Sequence, residues 1–134
     1  MKKSILSILM LTVALLYAQK DSLRTQRASS VVQDEYEIVV FDAQYETFLA
    51  SRATPISQYS EETLKSRNQF LVQEWNSRVL QGNINRDIYE IAIDYDSREK
   101  YGLEFEYRLY QFFAFVSWKY GEKFAGLRAS DLIW

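Results

Sequence analysis

The sequence has no cysteine and no histidine, and only one proline and four glycines among its 134 residues. Without cysteine the chain can form no disulfide and offers no thiolate nucleophile. Without histidine it lacks the imidazole base of Ser-His-Asp and Cys-His catalytic sites. Zinc sites built on these two residue types are excluded as well. The chemistry left to the chain rests on carboxylates, hydroxyls, lysine or an oxygen-ligated metal.

Basic charge is also scarce, with 16 Lys+Arg against 18 Asp+Glu and a net charge of −2. If residues 1–18 are removed, Lys2 and Lys3 leave with them, which gives 14 against 18 and a net charge of −4. Non-specific nucleic-acid binding needs a basic footprint, so we expect no nucleic-acid partner. The 10 tyrosines, 8 phenylalanines and 3 tryptophans instead predict a core built from large rings.

The first eighteen residues follow the pattern of a secretory signal peptide. Lys2 and Lys3 precede an apolar run over residues 5–16, and Ala18 supplies a small residue at the expected cleavage point. The run is shorter than the roughly twenty residues of a membrane-spanning helix. We therefore expect cleavage after Ala18 and an exported product, periplasmic or secreted. Left uncleaved, the segment would be at most a weak membrane tether.

The remaining chain divides into a linker, one domain and a tail. Residues 19–34 are polar and have no sustained period, which is typical of a flexible linker. Residues 35–124 have the length of a single domain. Residues 125–134 form a C-terminal tail that ends in Asp131-Leu-Ile-Trp134 and is either docked on the domain or used to bind a partner.

The domain is predicted to contain two strands and three helices. Residues 36–41 are rich in β-branched and aromatic side chains, and residues 88–95 alternate in polarity, so both are predicted strands. Helices are predicted over about residues 43–52, 61–81 and 103–120, with Asp42 and Ser60 as N-caps and Gly82 and Gly121 as stops. A helical crossover favours parallel strands. The predicted class is α+β, a small β-α-α-β-α domain whose two-stranded sheet is packed by two long helices.

Four short stretches of the domain carry a resemblance to a known family. They are Trp75-Asn76-Ser77-Arg78-Val79, Tyr89-Glu90-Ile91-Ala92-Ile93-Asp94-Tyr95-Asp96, Tyr101-Gly102-Leu103-Glu104 and Tyr107-Arg108-Leu109-Tyr110-Gln111-Phe112-Phe113. Over about residues 34–124 the chain resembles a family of uncharacterised exported proteins and lipoproteins of Bacteroidetes-type bacteria, a domain of unknown function. Many such relatives carry a lipid-attachment cysteine after the signal, and its absence here argues against a lipid anchor. The resemblance implies the compartment and the domain limits, and carries no activity.

A charged loop after the second predicted strand is the candidate metal site. Asp94, Asp96 and Glu99 lie close together there and could bind a hard cation. A calcium loop of the EF-hand type that began at Asp94 would need Asp or Asn at position 5, Gly at 6 and Glu at 12. The chain has Arg98, Glu99 and Phe105 at those positions, so we expect a solvated turn and no metal.

The enzymatic alternative is a small carboxylate-dependent hydrolase of the envelope, with or without a metal. Glu90, Glu104 and Glu106 flank aromatic positions and could act as the paired carboxylates of a glycosidase. Ser97-Arg-Glu-Lys100 matches the S-x-x-K pattern of penicillin-binding enzymes, but their S-D-N and K-T-G elements are absent. We assign no catalytic residue and no cofactor.

Binding is the preferred interpretation, and two groups of residues are singled out. The first contains aromatic side chains that either bind a partner at the surface or complete the core, namely Tyr101, Tyr110, Trp118 and Trp134. The second is a polar group expected to be structural, namely Glu74, Asn76, Arg78 and Asp94. The prediction is a non-enzymatic envelope module that binds a protein or a glycan through an aromatic surface, with its oligomeric state left open.

Overall fold

The computed structural model describes residues 9–10, 38–40, 42–82 and 85–132. Its α-helices are α1 (Ala43–Ser51), α2 (Glu61–Gln81) and α3 (Leu103–Tyr120), and short 3-10 turns cover Ile56–Gln58 and Ala129–Asp131. None of these helices is long and apolar enough to cross a membrane. The predicted linker at 19–34, and the predicted signal peptide apart from residues 9–10, lie outside the described residues.

The three predicted helices are confirmed, together with their caps. The Asp42 carboxylate accepts the N–H of Gln44 at 3.0 Å, and the Ser60 hydroxyl accepts the N–H of Thr63 at 3.2 Å. These bonds satisfy N–H groups that have no partner inside a first helical turn. Gly82 and Gly121 end α2 and α3 with φ of 67° and 71°, the left-handed region in which glycine is unstrained.

The predicted α+β class is wrong. Among the described residues from Asp42 to Leu132 none forms a strand. The β pairing that the described residues do contain is an antiparallel bridge of two residues on each side, β1 (Leu9–Met10) with β2 (Val39–Val40). The predicted parallel neighbour at 88–95 is absent from it, so the packed part of the chain is three helices with irregular segments between and after them.

The alternating segment at 88–95 is irregular chain that side chains of α2 hold in place. Asn76 makes two hydrogen bonds to the backbone of Ile93, and the Trp75 indole donates to the carbonyl of Ile91 at 2.9 Å. Backbone groups that a neighbouring strand would have satisfied are therefore satisfied by a helix. The Ile91 side chain is 55% exposed, whereas Tyr89 and Ile93 are buried. The alternation of polarity predicted one buried face for Tyr89, Ile91 and Ile93, and Ile91 does not belong to it.

Helix α3 is the centre of the core. Its residues from Phe105 to Val116 are buried almost without interruption, as expected of a helix that is covered on all sides. On the side of α1, Tyr45 and Phe48 contact Phe115 edge to face at 5.5 and 5.6 Å. On the side of α2, Trp75 packs on Phe112 at 5.3 Å. The aromatic-rich composition is thus used chiefly in packing the three helices.

The chain after α3 folds back onto α2. Glu74 accepts the N–H groups of Ala125 and Gly126 at 2.8 and 2.9 Å, and Arg67 donates to the carbonyl of Gly126 at 2.9 Å. A Cβ atom on Gly126 would lie only 2.7 Å from Cγ of Leu71. The backbone therefore touches the helix directly, and residues 125–132 are docked on the domain. Trp134 lies outside the described residues.

Candidate functional site

A buried carboxylate lies at the junction of α2 and α3. Glu106 is fully buried, and its Oε1 accepts hydrogen bonds from Asn68 Nδ2 and from the Tyr95 hydroxyl, both at 2.8 Å. The Lys65 ammonium nitrogen lies 3.2 Å from Oε2. A buried carboxylate is costly unless it is paired and hydrogen-bonded, and α2 and the irregular segment before α3 together supply these partners.

Stacked aromatic rings lie beside this carboxylate, in and next to the loop before α3. The Tyr101 ring stacks between Tyr95 and Phe105, with centroid distances of 5.3 and 4.2 Å. Lys65 Nζ lies 5.7 Å from the Tyr101 centroid and donates to the carbonyl of Glu99 at 2.6 Å. Burial raises the pKa of Tyr95, and its hydrogen bond to the Glu106 carboxylate raises it further. We call this set the Glu106 pocket, formed by Lys65, Asn68, Tyr95, Glu99, Tyr101 and Glu106.

A second buried carboxylate, Asp131, anchors the C-terminal segment. It accepts hydrogen bonds from the Tyr110 hydroxyl at 2.5 Å, from Thr54 Oγ1 at 3.0 Å and from Arg128 Nε at 3.0 Å. Burial alone would raise the pKa of Asp131, but the bonds from Arg128, Tyr110 and Thr54 outweigh it and lower the pKa. The Arg128 guanidinium also lies 4.5 Å from the ring centroid of Tyr59. Every partner is internal, so this network stabilises the fold.

The predicted polar group is only partly brought together. Arg78 lies 3.9 Å from Glu74, but its shortest bonds run to the Tyr89 hydroxyl and to the carbonyl of Lys123, both at 2.6 Å. Asn76 binds Ile93 instead, and Asp94 is exposed. The guanidinium of Arg78 also lies 4.6 Å from the ring of Phe124. Arg78 therefore docks the chain that follows α3 onto α2.

The four predicted binding aromatics have different environments. Tyr110 is fully buried and donates its hydroxyl to Asp131. Tyr101 is half-buried in the Glu106 pocket, and Trp118 is half-buried near the end of α3. Trp134 lies outside the described residues. Tyr101 and Trp118 are thus the members of this set with a partly exposed ring.

Trp118 belongs to a mixed aromatic and charged surface where α1 meets the end of α3. Its ring lies 5.6 Å from Phe48, and the exposed guanidinium of Arg52 lies 4.9 Å from its centroid. Nearby, Lys119 Nζ donates to the Asp42 carboxylate at 2.6 Å, and the Tyr120 hydroxyl lies 3.4 Å from the same oxygen. We call this the Trp118 surface, formed by Asp42, Arg52, Trp118, Lys119 and Tyr120, with the buried Phe48 packed beneath it.

The structure places the acidic residues that were considered as metal ligands or as catalytic carboxylates in different environments. Asp96 is bound by the Arg98 guanidinium at 2.9 Å, which lowers the pKa of Asp96 to about 2. No group of three potential metal ligands occurs among the residues that the structure describes. Glu90 and Glu104 are exposed, whereas Glu106 is enclosed. An open groove of about 470 Å³ beside Phe70 contains a single carboxylate, that of Glu62.

Sequence reasoning missed the Glu106 pocket and the Asp131 network. The available signal was a polar residue at a buried helical position. Asn68 lies four residues after Leu64 and three before Leu71, which places it on the apolar stripe of α2. Glu106 lies between Phe105 and Tyr107 in the helix with the most buried residues. A polar side chain at such a position needs a buried partner.

Comparisons with known proteins give one family. Searches of curated proteins and of solved structures find no match to this chain. Residues 4–132 match the model of a Family of unknown function (DUF6146). Because the match spans nearly the whole chain, the protein belongs to the DUF6146 family of unknown function.

Proposed function

We propose that this chain is an exported, non-enzymatic module of the bacterial cell envelope that binds a protein partner through the Trp118 surface. Export is supported by the charged start, the apolar run over residues 5–16 and Ala18. The resemblance to exported proteins over residues 34–124 points the same way.

The observation that carries the binding proposal is the Arg52–Trp118 pair. Tryptophan and arginine are the residue types most enriched at the energetic centres of protein interfaces. Here both are accessible, and Trp118 is held in place by Phe48 and Phe115 at 5.6 and 6.1 Å. A ring fixed before binding loses little conformational entropy when a partner covers it.

A protein partner is favoured over a glycan because Arg52 lies over the tryptophan ring. A sugar that stacks on tryptophan needs a free ring face, and the guanidinium is only 4.9 Å from the centroid. A protein can instead engage the pair as a unit through a carboxylate or carbonyl group that accepts hydrogen bonds from Arg52.

The hydrolase alternative receives little support from the positions of the carboxylates. Glu106 is fully buried; its Oε1 accepts hydrogen bonds from Asn68 and Tyr95, and its Oε2 faces the Lys65 ammonium at ion-pair distance. The groove beside Phe70 contains one carboxylate, whereas glycosidases use two that face one another. Assays for reducing-sugar release from envelope glycans test this alternative directly.

Site-specific photocrosslinking tests the binding proposal. A photoreactive residue in place of Ser51, exposed beside Arg52, is expected to give one crosslinked protein product in the periplasm. The same residue in place of Gln73, exposed on α2, is the matched control and should not give it. Arg52→Ala and Trp118→Ala are expected to remove the product, with circular dichroism confirming that both variants are folded. Equal crosslinking from both positions would contradict the proposal, and retention on purified glycan alone would replace it with the glycan alternative.

Mass-spectrometric sequencing of the N terminus of the exported protein tests the compartment separately. A mature N terminus at Gln19, recovered from the periplasm or medium, is expected. A full-length chain confined to the cytoplasm would overturn the export part of the proposal and leave the binding part to the crosslinking experiment.

A further inference from the structure

The Glu106 pocket contains more hydrogen-bond acceptors than donors. Within the described part of the chain, Asn68 Oδ1 and Glu106 Oε2 are buried and have no hydrogen-bond partner. Lys65 Nζ is at ion-pair distance from Oε2, 3.2 Å, but without the alignment of a hydrogen bond. Unsatisfied buried acceptors cost free energy, so a pocket of this composition favours a group that only donates.

The hydrogen bonds of Asn68 fix the orientation of its side-chain amide, so Oδ1 is the atom that lacks a hydrogen-bond partner. Its Nδ2 donates to both the backbone carbonyl and the carboxylate of Glu106, each at 2.8 Å. Turning the amide over would place its oxygen against two other oxygens. The side-chain oxygen of Asn68 therefore stays an acceptor in need of a donor.

The walls of the pocket suit a compact cation. A carboxylate oxygen and the carbonyl of Glu99 supply negative charge, and the Tyr101 ring supplies a face 5.7 Å from Lys65 Nζ. A primary ammonium group has three N–H donors and no acceptor, and aromatic faces attract it. Lys65 is such a group, and its side chain remains 25% exposed, so solvent reaches part of it.

We propose that the Glu106 pocket is a binding site for a primary alkylammonium group, filled by Lys65 as an internal ligand and able to bind a free alkylammonium ion once that side chain is removed. This site is separate from the Trp118 surface and does not depend on the binding role proposed there.

The test uses the full chain with Lys65→Ala and n-propylammonium chloride, whose three carbons and nitrogen replace the atoms that the substitution removes. The expected result is a saturable rise in Tm of about 2 °C or more, measured against sodium chloride at equal ionic strength. Wild type should not respond, because Lys65 occupies the pocket. Lys65→Met should not respond, because its side chain fills the lysine channel. Tetramethylammonium, which has no N–H group, should leave the Tm of Lys65→Ala unchanged.

The carboxylate is tested with the double variant Lys65→Ala/Glu106→Gln, which should lose the response to propylammonium. Equal shifts in wild type, Lys65→Met and Lys65→Ala would overturn the proposal, as would a folded Lys65→Ala protein that does not respond. If Lys65→Ala is unfolded, recovery of the helical circular dichroism signal on addition of propylammonium supports the site, and failure to recover contradicts it.

Discussion

The side-chain amide of Asn76 and the backbone of Ile93 form a two-bond bridge. Asn76 Oδ1 accepts the N–H of Ile93 at 2.7 Å, and Nδ2 donates to its carbonyl at 2.9 Å. The same two backbone groups would pair with a neighbouring strand in a sheet. One helical side chain thus takes the place of a strand and fixes the register of residues 88–95 against α2.

Removing this bridge is expected to destabilise the protein more than the loss of a half-buried side chain usually does. Asn76→Ala leaves both backbone groups of Ile93 without their partners and should lower the free energy of unfolding by about 2 kcal/mol. Gln73→Ala, exposed one turn earlier on α2, is the control and should change it by less than about 0.5 kcal/mol. Urea unfolding followed by circular dichroism measures both. Equal effects of the two substitutions would show that the bridge contributes nothing.

The close approach of Gly126 to α2 gives a steric prediction. A Cβ atom there would lie 2.7 and 2.9 Å from Cγ and Cδ2 of Leu71, a buried side chain. Gly126→Ala should therefore cost about 1–3 kcal/mol through overpacking. In a double-mutant cycle with Leu71→Ala the two costs should be clearly less than additive, because the second substitution removes the clashing atoms. Additive costs in thermal or urea unfolding would contradict a direct clash.

The sequence predicted the helices well because their signals are local. Asp42, Ser60, Gly82 and Gly121 mark the ends, and each acts through residues within one helical turn. The sheet was predicted wrongly because a strand is defined by its partner. Residues 88–95 alternate as a strand does, but the backbone groups of Ile91 and Ile93 bond to the side chains of Trp75 and Asn76. No periodicity in the segment itself reports this.

The Glu106 pocket lay beyond sequence reasoning for a related reason. Lys65 and Asn68 are separated from Glu106 by about forty residues, and the pairing depends on how α2 packs on α3. The position of Asn68 on the apolar stripe of α2 was an unused signal that a partner is needed, and it does not identify that partner. The proposed compartment rests on the pattern of residues 1–18, and sequencing the N terminus of the mature protein tests it.

Asp131 should make the stability depend on pH in the acid range. Its pKa is lowered in the folded protein, so its contribution is fully present above the unfolded value of about 3.9 and is lost as pH falls through the folded pKa. Asp131→Asn should cost about 3 kcal/mol at pH 7, because Arg128 and Tyr110 lose a charged acceptor. In urea unfolding the difference from wild type should shrink as pH falls below about 3.9 toward the lowered pKa of Asp131. Glu90→Gln, which changes an exposed carboxylate, is the control. A difference in unfolding free energy between wild type and Asp131→Asn that does not change with pH would contradict this prediction.

Tyr107 should make the stability of the protein decrease as pH rises in the alkaline range. Burial raises the pKa of Tyr107 to about 12, and its hydroxyl donates to the carbonyl of Thr54 at 2.7 Å. Because the folded pKa lies above the unfolded value of about 10, the contribution is present below pH 10 and is lost as pH rises toward 12. Tyr107→Phe removes the ionisable group, so the variant should be less stable than wild type at pH 8 by about 1 kcal/mol and lose less stability between pH 10 and 12. Unfolding curves at several pH values measure both slopes. Parallel slopes for the two proteins would mean that Tyr107 ionises equally easily in the folded and unfolded chains.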